Sequence, residues 1–369
     1  MNPLRVAVIG VGHLGRIHAR LLAQHQHAKL AAVIDPSPDA RDAVGAELGV
    51  PALPDHQSLI GKIDAAIVAI PSRLHYAVAH NLLQHGIHVL VEKPMTLNVG
   101  DAEDLIRVAD DHELILHVGH VERFNSALAL AAPHLQQAKY IDATRCGPFS
   151  CRSTDIGVVL DLMIHDIDVV LSLVEDELVA VEALGAAVIG PNEDWAEARL
   201  TFAGGCVANL SASRVAWEAR RTMHVVCRDC TASIDFAARR ARIMRPSARL
   251  QSSEFDLHRL SNEERADLKE NLFTDYLPLT DLAGEQTNAL LDEQRAFAAA
   301  IRGENSAGVW GRDGRRALDV AERILTSIAG HRWDGVPEGP IGPRFTNREG
   351  VLRGPHWKQP HPLQRRLAG

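Results

Sequence analysis

The chain has 369 residues, of which 46% are hydrophobic and 23% charged, so it is long enough for two domains of ordinary globular composition. The formal net charge of −8, with no long basic stripe, argues against a nucleic-acid partner. No apolar run approaches the roughly 18–20 residues that a membrane helix needs, and no signal peptide is evident, so we expect no membrane association. Five cysteines are an odd number and indicate reduced thiols in a cytoplasmic protein.

The first 120 residues alternate short apolar runs with helical patterns. Strands are predicted at 4–9, 29–34, 64–70, 87–91 and 114–118. Helices are predicted at 13–25, 38–48, 73–85 and 99–111. Strands separated by helices of this length form a parallel sheet with right-handed crossovers. Residues 1–120 are therefore predicted to be an α/β domain of the Rossmann type.

The pattern changes after residue 120, where strands follow one another through short turns. Strands are predicted at 139–146, 178–188, 195–203, 206–214, 221–228 and 231–236. Helices are predicted at 125–137, 156–173, 285–303 and 311–329. Residues 121–330 are thus predicted to be an α+β domain with a largely antiparallel open sheet. Residues 331–369 contain six prolines and no periodic pattern, which predicts an extended or partly disordered tail that packs on a neighbouring subunit.

A dinucleotide-binding motif lies at the start of the first domain. The strand 6–9 runs into Gly10, Gly12 and Gly15, and Asp35 ends the next strand twenty residues later. The glycines permit a tight turn, a close approach of the backbone to the pyrophosphate, and close packing of helix on strand. The pyrophosphate then lies at the helix N-terminus. Asp35 would bond the ribose hydroxyls and repel a 2′-phosphate, which favours NAD over NADP, although Arg41 could bend back toward it.

A lysine follows the fourth predicted strand, in the segment Glu92-Lys93-Pro94. Ligands of open parallel sheets bind at the carboxyl ends of the strands, so Lys93 would point toward the cofactor crevice, and its bond to Pro94 could be cis. The alternative is a surface lysine before a proline that begins a helix.

A second candidate group lies on the helical pattern 157–168. Asp161 and His165 are four residues apart and would share one face, which Asp168 extends while Asp166 points elsewhere. A carboxylate beside an imidazole suits a general base, and the apolar surroundings favour function over an exposed polar face. No third ligand is evident at a usual spacing, so no metal is predicted.

Cys227 and Cys230 form a C-x-x-C pattern inside a predicted strand. Positions three apart in one strand point to opposite faces, and no second pair lies at zinc-ribbon spacing. We therefore interpret them as ordinary strand cysteines.

Four motifs together resemble the glucose-fructose oxidoreductase / inositol dehydrogenase family, Gfo/Idh/MocA. They are V-I-G-V-G-H-L-G near the start, A-I-P-S-R-L-H at 69–75, V-E-K-P-M at 91–95 and G-V-V-L-D-L-M-I-H-D-I-D at 157–168. The resemblance covers about residues 4–330. It implies a homodimer or homotetramer, and a catalytic set of Lys93, Asp161 and His165. The cofactor-binding residues that it implies are Gly10, Gly12, His13, Leu14, Gly15, Asp35, Pro71, Ser72, His75, Glu92 and Lys93.

The segment H-V-G-H-V-E-R-F-N at 117–125 is similar to a branch of this family, the bacterial UDP-N-acetylglucosamine 3-dehydrogenases. In that branch, NAD-dependent oxidation of the sugar C3 hydroxyl precedes transamination to a 3-amino sugar for lipid A or related surface glycans, which couples the enzyme to an aminotransferase. The substrate is UDP-N-acetylglucosamine or its uronate. The substrate-binding residues implied are His120, Arg123, Asn125, Asp161 and His165, although Arg123 could instead pair with a core carboxylate.

The resemblance implies a mechanism in which His165 takes the hydroxyl proton, Asp161 orients His165, and Lys93 stabilises the developing alkoxide. One alternative is an inositol or free-sugar dehydrogenase with the same three residues. Another is a non-catalytic, dinucleotide-sensing regulator, which would not need them. A UDP-sugar also needs cations near its diphosphate, and the sequence alone does not place Arg145, Arg152 or Arg214 there.

Overall fold

The computed structural model describes residues 2–151, 153–285, 287–334 and 339–344. The strands of the first sheet are β1 Leu4–Ile9, β2 Ala28–Ile34, β3 Ala52–Leu53, β4 Ala65–Val68, β5 His88–Glu92 and β6 Leu116–Gly119. The helices among them are α1 His13–Leu22, α2 Pro38–Leu48, α3 His75–Gln84 and α4 Val99–Asp111. The strand order β3-β2-β1-β4-β5-β6, with every pairing parallel, is that of a dinucleotide-binding sheet. The predicted Rossmann domain is confirmed.

The second sheet has eight strands in the order β14-β13-β12-β11-β7-β10-β9-β8. Its strands are β7 Ala138–Cys146, β8 Leu178–Ala186, β9 Trp195–Phe202, β10 Val207–Ser213, β11 Arg220–Cys227, β12 Thr231–Asp235, β13 Arg240–Met244 and β14 Leu279–Ala283. The accompanying helices are α5 Ser126–Ala131, α6 Ile164–Leu173, α7 Ala248–Gln251, α8 Asn262–Glu270, α9 Ala289–Ile301 and α10 Gly311–Gly330. All pairings are antiparallel except β7 with β10, which confirms the largely antiparallel sheet.

Helix α2 shows how closely local sequence determines an element. Ser37 caps its N-terminus by accepting a hydrogen bond from the Ala40 amide, and Pro38 occupies the first turn. Gly49 ends the helix in the left-handed conformation, with φ 66°. Both ends therefore lie where the sequence predicts them.

Helices α9 and α10 return from the second sheet and pack on the first domain. Gln294 of α9 donates to the carbonyl of His18 in α1 (3.1 Å). Two residues, Val309 and Trp310, precede α10. The Val118 amide of β6 donates to the Val309 carbonyl (2.9 Å). The beginning of α9 is thereby held at the carboxyl end of the first sheet, where the glycine motif and Lys93 also lie.

The C-x-x-C pair differs from its predicted arrangement. Cys227 ends β11 and Cys230 precedes β12, so the two residues flank the turn of a hairpin and do not lie within one strand. The Cys227 amide donates to the Cys230 carbonyl (2.8 Å), and both side chains are buried and free. Expecting opposite faces was wrong because the chain reverses between them.

Part of the C-terminal segment can be described. Within 331–334 and 339–344, Arg332 pairs as a β-bridge with Ile341, and the Ala187 amide donates to the Pro343 carbonyl (2.8 Å). The expectation of an extended tail concerns mostly residues 335–338 and 345–369, which lie outside the described residues. Among the described residues, every helix is too short or too polar to serve as a membrane span.

Candidate active site

The glycine turn between β1 and α1 has the shape that a bound dinucleotide requires. Gly10 adopts φ 86°, and a Cβ there would collide with the Ala69 carbonyl oxygen. A Cβ at Gly15 would overlap the Gly10 carbonyl oxygen, so helix and turn pack in direct contact. A Cβ at Gly12 would meet nothing within 4 Å. The open side of the turn lies at Gly12, which begins α1 without a side-chain cap and leaves its first amides available to a phosphate.

Asp35 supports the same turn from the end of β2. Its carboxylate accepts hydrogen bonds from the amides of Val11 (3.0 Å) and Ser37 (2.9 Å). Arg41 does bend back, but it donates to the carbonyls of Asp35 (3.4 Å) and Pro36 (3.2 Å) and also pairs with its neighbour Asp42. The carboxylate of Asp35 thus keeps its negative charge unpaired by Arg41 at the position where the adenosine ribose would lie.

The remaining predicted cofactor residues surround this turn. His13 is exposed and Leu14 half-buried in the first turn of α1, while Pro71 and Ser72 follow β4 at the same sheet edge. His75 is buried, and its ring nitrogens contact the carbonyls of Pro94 (2.7 Å) and Ile70 (2.8 Å). His75 therefore ties two loops together, and its effect on a cofactor would be indirect.

Lys93 lies immediately after β5, as predicted, and is joined to Pro94 by a cis peptide bond. Its Nζ donates to the Asp161 carboxylate (2.8 Å) and to the Asp161 carbonyl (2.6 Å). Both side chains are mostly buried, with 15% and 18% of their surface exposed. Charge-assisted hydrogen bonds at such a site are strong, so Lys93 is held in one position.

The predicted pairing of Asp161 with His165 is corrected by the structure. Residues Val159–Met163 form a π-helical turn before α6, which departs from the regular helical period on which the predicted pairing depends. Asp161 pairs with Lys93, and within the described residues the His165 Nδ1 atom is buried without a hydrogen-bond partner. Asp161 therefore positions the lysine and not the histidine.

His165 and His120 lie together behind Lys93. Their rings meet edge to face, with centroids 6.3 Å apart. Burial lowers the pKa of His165 well below its usual value, and the positive charges of Lys93, Arg145 and Arg221 lower it further. His165 is accordingly neutral near pH 7 and able to accept a proton.

A cavity of about 300 Å³ connects these groups with the glycine turn. Its lining consists of Leu14, Glu92, Lys93, Gly119, Val121, His165, Arg239, Asn288, Ala289 and Leu290. It lies outside the carboxyl ends of β5 and β6, where ligands of doubly wound sheets bind. Residues from both sheets and from the start of α9 therefore enclose one reaction space.

A buried layer of ion pairs supports α6 from behind. Arg145 bonds Asp166 through two nitrogens (3.0 and 2.8 Å) and Glu122 through a third (2.6 Å). Arg123 makes a bidentate pair with Asp168 (2.7 and 3.1 Å). Arg123 thus has the structural role considered for it, pairing with a core carboxylate. The three guanidinium nitrogens of Arg145 are all bonded to Asp166 and Glu122.

Asn125 also has a structural position. Its side chain caps α5 by accepting from the Ala127 amide (3.1 Å) and donates to Glu122 (2.9 Å). It lines a second cavity, of about 220 Å³, which adjoins the first.

The Glu92 carboxylate is directed into the interior beneath the cavity. It contacts Nε2 of buried His18 (2.8 Å), and the amide nitrogen of Gln294 contacts both the His18 carbonyl and its Nδ1 (3.0 Å). Because a carbonyl only accepts, that Gln294 atom is the donor, and His18 is the neutral tautomer that donates from Nε2 to Glu92. A carboxylate oxygen of Glu293 lies within 4.8 Å of the ligand atoms of these two residues, so the three could together hold a metal ion. We interpret the group as a hydrogen-bonded network, because Nε2 of His18 carries the hydrogen that it donates to Glu92 and therefore cannot bind a metal.

Of the three arginines that the sequence could not place, Arg145 and Arg214 do not line the cavity. Arg214 is buried against Asp194 (2.5 Å), and Arg152 lies outside the described residues. Among the described residues, the arginines that line the two adjoining cavities are Arg221 and Arg239, which the sequence analysis did not single out. Their proximity arises from strand register and a hairpin turn, and no local motif signals it.

The Rossmann sheet, the open glycine turn and the lysine and histidine at one cavity define an NAD-dependent oxidoreductase. Family models agree: residues 4–120 match the oxidoreductase family with an NAD-binding Rossmann fold, and residues 134–233 match the GFO/IDH/MocA C-terminal domain. The chain belongs to the GFO/IDH/MocA family.

Named relatives agree with this assignment. The chain is similar to UDP-N-acetylglucosamine 3-dehydrogenase of Acidithiobacillus ferrooxidans, with 42% identity over 241 residues, 64% of this chain and 75% of that protein. A solved structure of that enzyme superposes with a TM-score of 0.76 and 34% identity, covering 89% of this chain and 98% of that one. The scyllo-inositol 2-dehydrogenase (NAD(+)) of Bacillus subtilis is 27% identical over 232 residues, 58% of this chain and 68% of that protein.

Proposed function

We propose that this protein is a UDP-N-acetylglucosamine 3-dehydrogenase, which oxidises the C3 hydroxyl of UDP-N-acetylglucosamine, or of its uronate, to a ketone. The observation that carries the proposal is that Lys93 and His165 line one cavity beside the glycine turn, where Asp161 holds the Lys93 ammonium in place. The 42% identity to an enzyme of that name favours this substrate over an inositol, whose named dehydrogenase is 27% identical.

Bound NAD⁺ would supply the acceptor for the hydride that leaves C3. His165 would accept the hydroxyl proton, because it lines the cavity and burial keeps its imidazole neutral. Lys93 would donate a hydrogen bond to the same oxygen and stabilise the negative charge that develops there. Asp161 holds the Lys93 ammonium in place through its carboxylate and its carbonyl. The turn at Gly12, His13 and Leu14 would hold the cofactor pyrophosphate, and Asp35 its ribose.

The rest of the proposal concerns partners. The 3-keto product would pass to an aminotransferase in the cytoplasm and serve the synthesis of a lipid A or surface-glycan amino sugar. The open face of the second sheet, with concavities of about 720 and 710 Å³, would form the contacts of a homodimer or homotetramer. Light scattering of the purified protein would measure that assembly, and a monomer at all concentrations would contradict it.

The test of the function is the appearance of NADH with purified protein, NAD⁺ and UDP-N-acetylglucosamine. Glutamate and a matching aminotransferase are included because oxidation of an alcohol by NAD⁺ is uphill near neutral pH. With substrate deuterated at C3, we expect the deuterium in the reduced cofactor, which identifies the position of oxidation. NADH only with myo-inositol or free hexoses would replace the substrate and keep the family. Tight NAD binding without turnover of any of these would favour the regulator.

A further inference from the structure

Two arginines on the second sheet face the site without acidic partners. Arg221 lies in β11, and Arg239 lies in the turn between β12 and β13. Among the described residues, neither guanidinium forms a hydrogen bond or an ion pair, whereas Arg123, Arg145 and Arg214 are fully engaged. Unpaired arginines are common on open surfaces, so their position has to decide whether they bind a ligand.

That position is the second cavity, of about 220 Å³. Arg221 and Arg239 both line it, and it shares Val121, Arg239 and Ala289 with the catalytic cavity. A ligand whose reacting carbon lies between Lys93 and His165 can therefore extend past Val121 toward the two guanidinium groups.

The charge of the second cavity is positive. Its carboxylate, Glu122, is already bonded by Arg145 (2.6 Å) and Asn125 (2.9 Å), so it does not neutralise the other two arginines. Ala289, the first residue of the 13-residue helix α9, lines both cavities. Asn288 caps this helix by accepting from the Leu291 amide, and the other amides of a first helical turn favour an anion. Two cations and a helix N-terminus thus converge on a space next to the reaction centre.

We infer that the second cavity binds the diphosphate of the nucleotide-sugar substrate, with Arg221 and Arg239 as its ligands. The inference rests on the proposed function. Guanidinium groups match phosphate oxygens through parallel hydrogen bonds, and a sugar diphosphate places its charge on the side of the ring away from C3. An inositol has no such group, so the same arginines discriminate between the two substrate classes.

The backbone of Arg239 adds a separate observation. It adopts φ 55°, in the left-handed region where asparagine and glycine are favoured over other residues. The same fact makes Arg239→Asn a suitable variant, because it removes the charge while suiting the backbone.

The experiment measures UDP binding by calorimetry to the full-length protein saturated with NADH, so that the cofactor site is occupied. The variants are Arg221→Ala and Arg239→Asn, with Arg220→Ala and Arg240→Ala as controls at the adjacent positions. We expect each test variant to weaken UDP binding about ten- to a hundredfold, the usual worth of one charge-assisted hydrogen bond. NADH affinity and both control variants should stay unchanged. Equal UDP affinity in wild type and both test variants would overturn the inference, as would an unmodified protein that does not bind UDP.

Failure of the subsite can be told apart from failure of the proposed function. If the test variants lose UDP binding while no UDP-sugar is oxidised by the wild type, the diphosphate subsite is supported and the proposed 3-dehydrogenase activity is contradicted. If UDP-N-acetylglucosamine is oxidised with an unchanged KM in both variants, the activity stands and the subsite is overturned.

Discussion

At the scale of single residues, the ammonium of Lys93 is the feature on which catalysis depends most directly. Asp161 takes two of its hydrogen-bonding directions, which leaves the third for the cavity. A hydrogen bond from this group to the reacting oxygen strengthens as the oxygen gains charge, and it therefore lowers the barrier and not only the free energy of binding.

Replacing Lys93 by methionine keeps the length of the side chain and removes the charge. We expect kcat to fall about 10²- to 10³-fold, the usual loss when one donor to a developing oxyanion is removed. NAD binding should be nearly unchanged, because the glycine turn and Asp35 do not contact Lys93. Steady-state kinetics and a cofactor titration measure the two quantities. Lys62→Met, at an exposed site on the same domain, is the control, and near-normal turnover by Lys93→Met would refute the role.

At the scale of elements, the turn that precedes α6 explains why one predicted pairing was wrong. The residues of 157–168 fit a regular helical period, and that period predicts Asp161 beside His165. The π-helical turn Val159–Met163 shifts the spacing, so Asp161 reaches Lys93 on the other domain. A π turn is not evident from the hydrophobic period, because a single wider turn leaves the pattern of apolar residues on either side unchanged.

Helix α9 carries a buried carboxyl group, that of Glu293, without a hydrogen-bond partner among the described residues. Glu293 is 2% exposed, and neither of its carboxylate oxygens has a hydrogen-bond partner among the described residues. Burial raises the pKa of Glu293 well above its usual value, and the negative charge of nearby Glu92 raises it further. The folded protein therefore holds a proton on Glu293 at a pH where the unfolded chain has released it.

The raised pKa of Glu293 predicts how the free energy of unfolding changes with pH. A carboxyl with a raised pKa contributes stability that is present in acid and is lost as pH rises above its unfolded value near 4.5. Glu293→Gln mimics the protonated form, so we expect its free energy of unfolding to match the wild type near pH 4 and to exceed it increasingly toward pH 8. Urea unfolding at several pH values measures the difference. A difference that is equal at every pH would show that the pKa of Glu293 is the same in the folded and the unfolded protein, and would contradict the prediction.

At the scale of the whole molecule, the first domain was the more predictable half. Its strands and helices lie within about three residues of their predicted bounds, because capping residues and buried strands mark them locally. The exception in this domain is β3, which has two residues. In the second domain α8 was missed although Ser261 and Glu264 form a capping box, because none of its residues is buried and it has no apolar face. Strands β13 and β14 were missed as well, since each has only five residues and gains strand structure from pairing, β13 with β12 and with β14.

The site shows the same division. The glycine turn, Lys93 and His165 were found because each follows a strand or belongs to a motif. The roles of Arg145, Arg221 and Arg239 were not, since these depend on which strands pair and which turns meet across the sheet. Sequence thus identifies chemistry that is local in the chain, and contacts between distant segments need the fold.

Buried histidines make the whole molecule sensitive to acid. Burial lowers the pKa of His117 from 6.5 to about 4, and its ring packs against Trp310 and Phe297, so it joins β6 to the returning helices. The unfolded chain binds this proton first, so stability is lost as pH falls from about 6.5 to about 4, by at most about 3 kcal/mol. His117→Phe keeps an aromatic ring without a titrating group. We expect its free energy of unfolding to fall less steeply than that of the wild type across this range, whatever constant offset the larger ring introduces. Parallel curves would show that the pKa of His117 is the same in the folded and the unfolded protein.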